Sequence, residues 1–346
     1  MTGNITTKNK LKMADYSVRF LNETEYDVWD NFVENHPNGT VFQTSVFLKT
    51  ISEASSHEFK IAAIFNQDEL LGGFAFSTVK RYGFNLIPLP YECPVYQPVF
   101  IERKTQYISK KESLYNTLVE NLTSFLNLYF DSVKMNFSFN SIDLRPYKSA
   151  KYKFDINYTY LLDFNLYDVN SVPFNSSIKK QIKKAKRNNY SILKGVNAET
   201  VQIAYELLSQ TYSRQGLSLR FSKEQYESIY TKLYEKGWFQ LYVLSFDNKP
   251  ASVMGVTTFN SVAHHHLSAS NPELYQLGGT SALMAELLND LKNNNQIKKF
   301  DFAGANTKSV ARFKAGFNFP LIPIYSIVYE KNIVTQLFKI KKFLKR

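Results

Sequence analysis

Phe239-Gln240-Leu241-Tyr242-Val243-Leu244 runs into Asp247-Asn248-Lys249-Pro250, and an apolar run follows to Phe259. Two β-prone runs around turn-forming residues make a hairpin. The same pattern stands earlier in the chain, as Phe59-Lys60-Ile61-Ala62-Ala63-Ile64-Phe65, the turn Asn66-Gln67-Asp68-Glu69, and an apolar run over 70–79. The copies lie about half a chain length apart. Each is preceded by apolar stripes at helical spacing: Val201, Ala204, Tyr205, Leu208 and Tyr212, then Tyr226, Ile229, Tyr230 and Leu233, in the second half. In the first half Tyr26, Trp29, Phe32 and Val33 form one stripe, and Val46, Phe47 and Ile51 a shorter one. Matching helices before matching hairpins point to an internal duplication.

Beyond the second hairpin, the pattern predicts a strand over 262–270, a helix over 280–293 and a strand ending at Phe300-Asp301-Phe302. A short helix near 307–315 and a last strand over 321–329 follow. A short strand over 190–193 opens this half. Antiparallel strands first, with later strands alternating with helices, give a mixed sheet flanked by helices, an α/β (mixed α+β) fold class. This order resembles that of the GNAT acyltransferases. The expected organisation is a flexible N-terminus (1–14), a first GNAT-like domain (15–165), a basic linker helix (166–189), a second GNAT domain with the donor site (190–330) and a basic amphipathic tail (331–346).

The 346 residues are 44% hydrophobic, enough for two cores. One cysteine, Cys93, rules out a disulfide framework, and its place in Tyr91-Glu92-Cys93-Pro94 reads as a small buried hydrophobe. A formal charge of +12 favours anionic partners. No apolar run has signal-peptide or membrane-spanning length, so the expected location is cytoplasmic.

The loop Tyr275-Gln276-Leu277-Gly278-Gly279-Thr280-Ser281 leads into a helix, where free backbone N–H groups and the macrodipole suit an anion. Glycines admit a close ligand. Gln276-x-x-Gly279-x-Ser281 resembles the loop with which GNAT enzymes hold coenzyme A, which marks Gln276, Gly278, Gly279, Thr280 and Ser281 as cofactor-binding. Ser281 departs from the small apolar residue usual there. An ordinary turn with Thr280 as helix cap is the plain alternative.

Phe300-Asp301-Phe302-Ala303-Gly304-Ala305, followed by Val310-Ala311-Arg312-Phe313-Lys314-Ala315-Gly316-Phe317, resembles the Fem family of peptidoglycan-bridge aminoacyltransferases and their GNAT-like relatives. Further matches are Ser213-Arg214-Gln215-Gly216-Leu217, Asp143-x-Arg145-Pro146-Tyr147 and Pro37-Asn38-Gly39-Thr40-Val41-Phe42-Gln43. The resemblance implies that Lys314 lies at the acyl-transfer centre, its ammonium facing the oxyanion. Arg312 is the expected phosphate contact, and Arg214 a substrate contact. Asp301, Glu273, Tyr275 and the histidines are candidate bases. Asp301 is favoured by its place at a strand end beside Gly304, where orienting Lys314 or capping the next helix is its other reading. Among His264, His265 and His266, alternation puts the outer two on one sheet face, so no metal site is expected.

Residues 176–187, Ser-Ser-Ile-Lys-Lys-Gln-Ile-Lys-Lys-Ala-Lys-Arg, read as a helix in which Ile178, Ile182 and Ala185 form a narrow stripe flanked by cations. Pro173 and the serines mark its start. Lys179, Lys183 and Arg187 are candidate contacts to a phosphate-bearing substrate, against the plain reading of a solvated linker.

Three functions compete. One is transfer from acyl-CoA, with acetyl-CoA as donor and no metal, to an amine on an amino sugar or cell-envelope precursor. The alternative is a Fem-type transferase that takes an amino acid from charged tRNA to a peptidoglycan precursor. The third is a non-catalytic RNA- or membrane-binding protein. The tail 337–346, apolar and cationic, is a candidate peripheral contact at the inner membrane face.

Overall fold

Both hairpins form in the computed structural model, which describes residues 11–13, 16–141, 143–166 and 174–336. Pro173 and the tail 337–346 lie outside the described residues. The first half runs β1 (Leu11–Met13), β2 (Tyr16–Phe20), α1 (Tyr26–Glu34), α2 (Ser45–Ala54), β3 (Glu58–Asn66), β4 (Glu69–Arg81), β5 (Phe84–Ile87), β6 (Val99–Phe100), α3 (Ile108–Tyr129), β7 (Ser132–Asn136), α4 (Arg145–Ser149) and β8 (Lys153–Asp163). The second half runs α5 (Ser176–Arg187), β9 (Ser191–Lys194), α6 (Ala198–Ser213), α7 (Lys223–Glu235), β10 (Phe239–Phe246), β11 (Lys249–Phe259), β12 (Val262–Ser270), α8 (Gly279–Asn293), β13 (Lys299–Asp301), α9 (Lys308–Ala315) and β14 (Leu321–Glu330). The hairpins are β3–β4 and β10–β11.

The sheets of the two halves are joined. Among the described residues the strand order is β1-β2-β3-β4-β5-β7-β14-β8-β13-β12-β11-β10-β9. β14, from the end of the second half, pairs antiparallel with both β7 and β8 of the first, and β8 pairs antiparallel with β13. Residues 11–13, within the segment read as a flexible N-terminus, pair with β2. α3 was not singled out by the sequence reading, although Leu118, Leu122, Phe125 and Leu126 are buried along it at helical spacing.

The first half's strand order is interrupted at a telling place. β5 and β6 both pair with β4, with Leu86 opposite Val79 and Val99 opposite Gly73. Between them residues 88–98 bulge toward the second half, returning through a bridge of Tyr96 to Asn136 of β7.

A second joint is the 37–43 stretch. Thr40 and Gln43 form a capping box around a short 3-10 turn, Val41–Gln43. Asn260, at the β11–β12 turn, donates to the carbonyls of His36 (3.0 Å) and Gly39 (3.1 Å). Phe42, fully buried, lies edge-on to His264 at 5.4 Å and stacks on His266 at 5.9 Å between ring centroids. His264 and His266 thus share a face, while His265 lies against Phe302 on the other. One apolar core contains side chains of both halves; a second lies among α5, α8, β13 and the segment after α9.

A shared sheet and core make the halves one cooperative unit. Denaturant unfolding followed by two probes, one in each half, is expected to give coincident transitions. Phe42→Ala, which opens a cavity between the halves, should lower the unfolding free energy by about 3–5 kcal/mol without splitting the transition.

Candidate active site

β12 and β13 run parallel only as far as His264, which faces Asp301. β12 continues to Ser270 while the other chain turns away at Phe302. The register of β11 against β12 shifts here: Gly255 faces Leu267 and Val256 faces His265, so His266 is an extra, bulged residue. The strands therefore part, and a cleft of about 930 Å³ opens between them. It reaches both faces of the sheet. Tyr91, Glu92 and His266 line it on the first-half side, and Gln181, His265, Phe302 and Lys314 on the α5–α8 side.

Asp301 anchors the parting point. It is 5% exposed, does not line the cleft and accepts hydrogen bonds from the Thr159 hydroxyl and the Ala303 N–H (2.8 Å). His264 Nδ1 lies 3.3 Å from its second oxygen. Burial alone would raise its pKa. The His264 contact and the two hydrogen bonds outweigh that and hold the carboxyl below the ordinary carboxylate range. The sequence reading favoured Asp301 as the base; the structure puts it beneath the cleft, fixing the turn after β13.

Lys314, which the resemblance placed at the acyl-transfer centre, lines this cleft. Its Nζ donates to the carbonyls of Phe302, Ala303 and Gly304 (2.9 Å for the last). An ammonium has three donors, and all three are taken by this turn. Ala303 and Gly304 have φ of 45° and 51°, so the lysine clamps a left-handed turn. Burial pushes its pKa down to about 8, with Asp301 pulling the other way.

His265 is 9% exposed and faces the cleft; its Nε2 has no partner among the described residues. Burial first, and then Lys314, push it down to about 3, so at neutral pH the ring is uncharged.

Glu92, which the sequence reading did not single out, arrives on the 88–98 excursion. Its Oε2 accepts from His266 Nε2 (3.2 Å) and from the Tyr230 hydroxyl (3.4 Å). Burial, and then Glu92, raise the Tyr226 and Tyr230 pKa values, so both phenols stay protonated, and Tyr230 donates to the carboxylate. Glu92 has a φ of 55°, an uncommon conformation for a side-chain-bearing residue that the surrounding contacts maintain. His266 is enclosed by Phe42, Phe47, Tyr230 and Phe239. Its neighbour Cys93 is buried and bonds Val95 O, with burial raising the thiol pKa.

The glycine loop is occupied by protein. A 3-10 turn, Pro272–Leu277, precedes α8, with Gly278 at φ 80°. A Cβ on Gly278 would come within 2.3 Å of the Gln181 carbonyl of α5, so the close approach this glycine permits is that of a helix. Ser281, fully buried, donates to Gln181 Oε1 (2.5 Å). Gly279 faces Leu244 and Phe246, and Thr280 bonds the Ser270 hydroxyl (2.7 Å) at the cleft wall. Gln276 is exposed and bonds Glu273 O; Arg312 is exposed and turned from the cleft. Arg214 lies over the Tyr275 ring at the mouth, 5.6 Å from its centroid, and Arg220 over Tyr91 at 4.8 Å.

α5 is docked as well as charged. Asn175 caps it, Ile178 and Ala185 are buried, and Asn175 N–H donates to Gly316 O (2.9 Å). Lys179, Lys183 and Arg187 are exposed along a shallow groove with Ile182 and Lys186. Among the described residues no group of three or more His, Cys, Asp or Glu side chains is arranged to hold a metal ion, and no helix is long and apolar enough to cross a membrane.

The acetyltransferase (GNAT) domain family matches residues 174–315, which span the parting strands and α8. The second half of the chain therefore carries an acetyltransferase (GNAT) domain. The chain's whole architecture is similar to that of FemX, at 13% identity over 93% of this chain and 99% of that one, with a TM-score of 0.68. L-PGS from Bacillus licheniformis is similar at 13% identity, covering 94% and 98%, with a TM-score of 0.58. A tandem GNAT protein from the clavulanic acid biosynthesis pathway matches at 10% identity, covering 90% and 98%, with a TM-score of 0.50. These likenesses are of fold. No curated protein matches the sequence. The GNAT domain supplies the cleft, and the first half supplies Glu92.

Two measurements probe this geometry. Gly278→Ala meets the α5 backbone and should destabilise by more than about 3 kcal/mol, whereas Gly304→Ala, with open space around its Cβ, should cost only about 1 kcal/mol for its left-handed conformation. For Lys314, the folded pKa near 8 lies below the unfolded 10.5, so the unfolded chain binds more protons between those values and stability rises with pH across the window. Denaturation from pH 8 to 10.5 should show the parent gaining about 3 kcal/mol relative to Lys314→Met.

Proposed function

We propose that the chain joins an acyl group to an amine inside this cleft, with donor and acceptor entering from opposite faces of the sheet. The parting of β12 from β13 carries the reading, because it lets two ligands meet through the sheet. The acceptor side is the Glu92 face. Arg214 and Arg220, placed over tyrosine rings at the mouth, offer guanidinium N–H groups to phosphate oxygens. They favour a phosphate-bearing acceptor, such as a nucleotide- or lipid-linked cell-envelope precursor.

For the donor, the packing of α5 favours an aminoacyl ester carried on tRNA over acyl-CoA. GNAT domains in general take acyl-CoA at the start of the helix corresponding to α8. Here Gln181 lies against Gly278 and holds the Ser281 hydroxyl, so a pyrophosphate would have to displace α5. The same helix presents Lys179, Lys183 and Arg187 to solvent, as a polyphosphate rail requires. The acyl-CoA reading keeps the support of the family match and of Thr280 at the cleft wall. Lys314, clamping the 302–304 turn, acts by holding the wall of the cleft, and Asp301 by holding the turn's base.

The test is ligand-dependent stabilisation at low and moderate salt. A charged tRNA pool should raise the thermal midpoint, with a log-log salt dependence that falls by about 2–3 when Lys179, Lys183 and Arg187 are changed together to Ala. A midpoint raised by coenzyme A, and by tRNA not at all, would return the donor to acyl-CoA.

A further inference from the structure

The Glu92 carboxylate has an unequal pair of oxygens. Oε2 receives His266 Nε2 and the Tyr230 hydroxyl, while Glu92 itself lines the cleft. The carboxylate assigns the hydrogen on His266 to Nε2, since that nitrogen faces an acceptor, and Nδ1 has no partner among the described residues. The imidazole side chain is fully enclosed by aromatic rings and has no room to swing, so the bond to Oε2 is fixed in direction. All of this holds an acidic side chain at a left-handed backbone position, on the segment between β5 and β6 that reaches the second half.

We propose that Glu92 is the residue that binds the acceptor amine and takes its proton, presenting Oε1 to the cleft while His266 and Tyr230 hold the other carboxylate oxygen. This rests on reading the cleft as an acyl-transfer centre. An ammonium acceptor gives one proton to Glu92, and the freed nitrogen pair forms the C–N bond at the donor carbonyl. The C–O pair of an ester donor, or the C–S pair of a thioester, leaves with the departing oxygen or sulfur, which takes a second proton from the amine nitrogen. The amide keeps the remaining N–H, and solvent at the open mouth removes the proton from Glu92. The first half thereby supplies the proton acceptor to a donor site built by the second.

The test uses two nucleophiles with the full chain and with Glu92→Gln, which preserves shape and hydrogen-bond reach. Hydroxylamine is largely unprotonated at neutral pH and needs no base; Nα-acetyl-lysine amide is a primary ammonium and does. Each is offered with a charged tRNA pool and with acetyl-CoA. The expected result is that Glu92→Gln lowers kcat/KM for the ammonium probe at least 100-fold while the hydroxamate rate changes less than about threefold, with the thermal midpoint unmoved. Glu92→Asp should recover part of the loss. Equal retention of both rates in Glu92→Gln, or equal loss of both, overturns the proposal and leaves acyl transfer standing. Absence of amide and hydroxamate in the parent overturns the acyl-transfer reading and this proposal with it.

Discussion

Where β12 and β13 part, the backbone loses the neighbour that a sheet normally gives it, and buried polar groups must find other partners. Asp301 meets the need on one side. Its carboxylate takes the Thr159 hydroxyl from β8 and the Ala303 N–H from the turn, and so fixes where the turn begins. Lys314 meets it on the other, gathering three carbonyls that would otherwise point into the protein unpaired. With those two charges in place the turn holds a left-handed shape that an uncharged segment would have little reason to keep. The cleft is thus a defect in the sheet that two buried ionisable groups keep open.

Around that defect the halves divide the labour unequally. The second half has the parted strands, the helix start and the basic helix. The first sends across two devices, Phe42 and the 88–98 excursion, and both end on His266. The histidine is the bulged residue of β12, so the irregularity that helps open the cleft also turns a ring toward the first half. Opening the site and joining the halves are consequences of one extra residue in one strand.

Much of this was legible in the sequence. Alternation and helical spacing located the β3–β4 and β10–β11 hairpins, α5 and the strands after it, because those signals are local. The position of Lys314 at the cleft followed from a family motif. The use of its three donors did not, since carbonyl orientation depends on the turn's dihedral angles. Gly278 announced a close approach, and sequence has no means of saying whether a ligand or a helix does the approaching; the distance to Gln181 decides it. Glu92 left almost no trace. It sits among prolines and aromatics with no periodicity, and becomes significant only through contacts with residues far along the chain, His266 and Tyr230. The pairing of β14 with β7 was equally silent, because a strand's pattern shows its faces and not its neighbours.

That pairing has a consequence for how the protein is made. A ribosome delivers β7 and β8 long before β14, which lies between them in the finished sheet. Until β14 emerges, each presents an open edge able to capture a strand from another nascent chain. The usual order of synthesis, in which an N-terminal domain closes while the rest is still being translated, is therefore barred here. The first half must wait in an incomplete state for most of the second, with one edge of β7 open until β14 arrives and both edges of β8 open until β13 does.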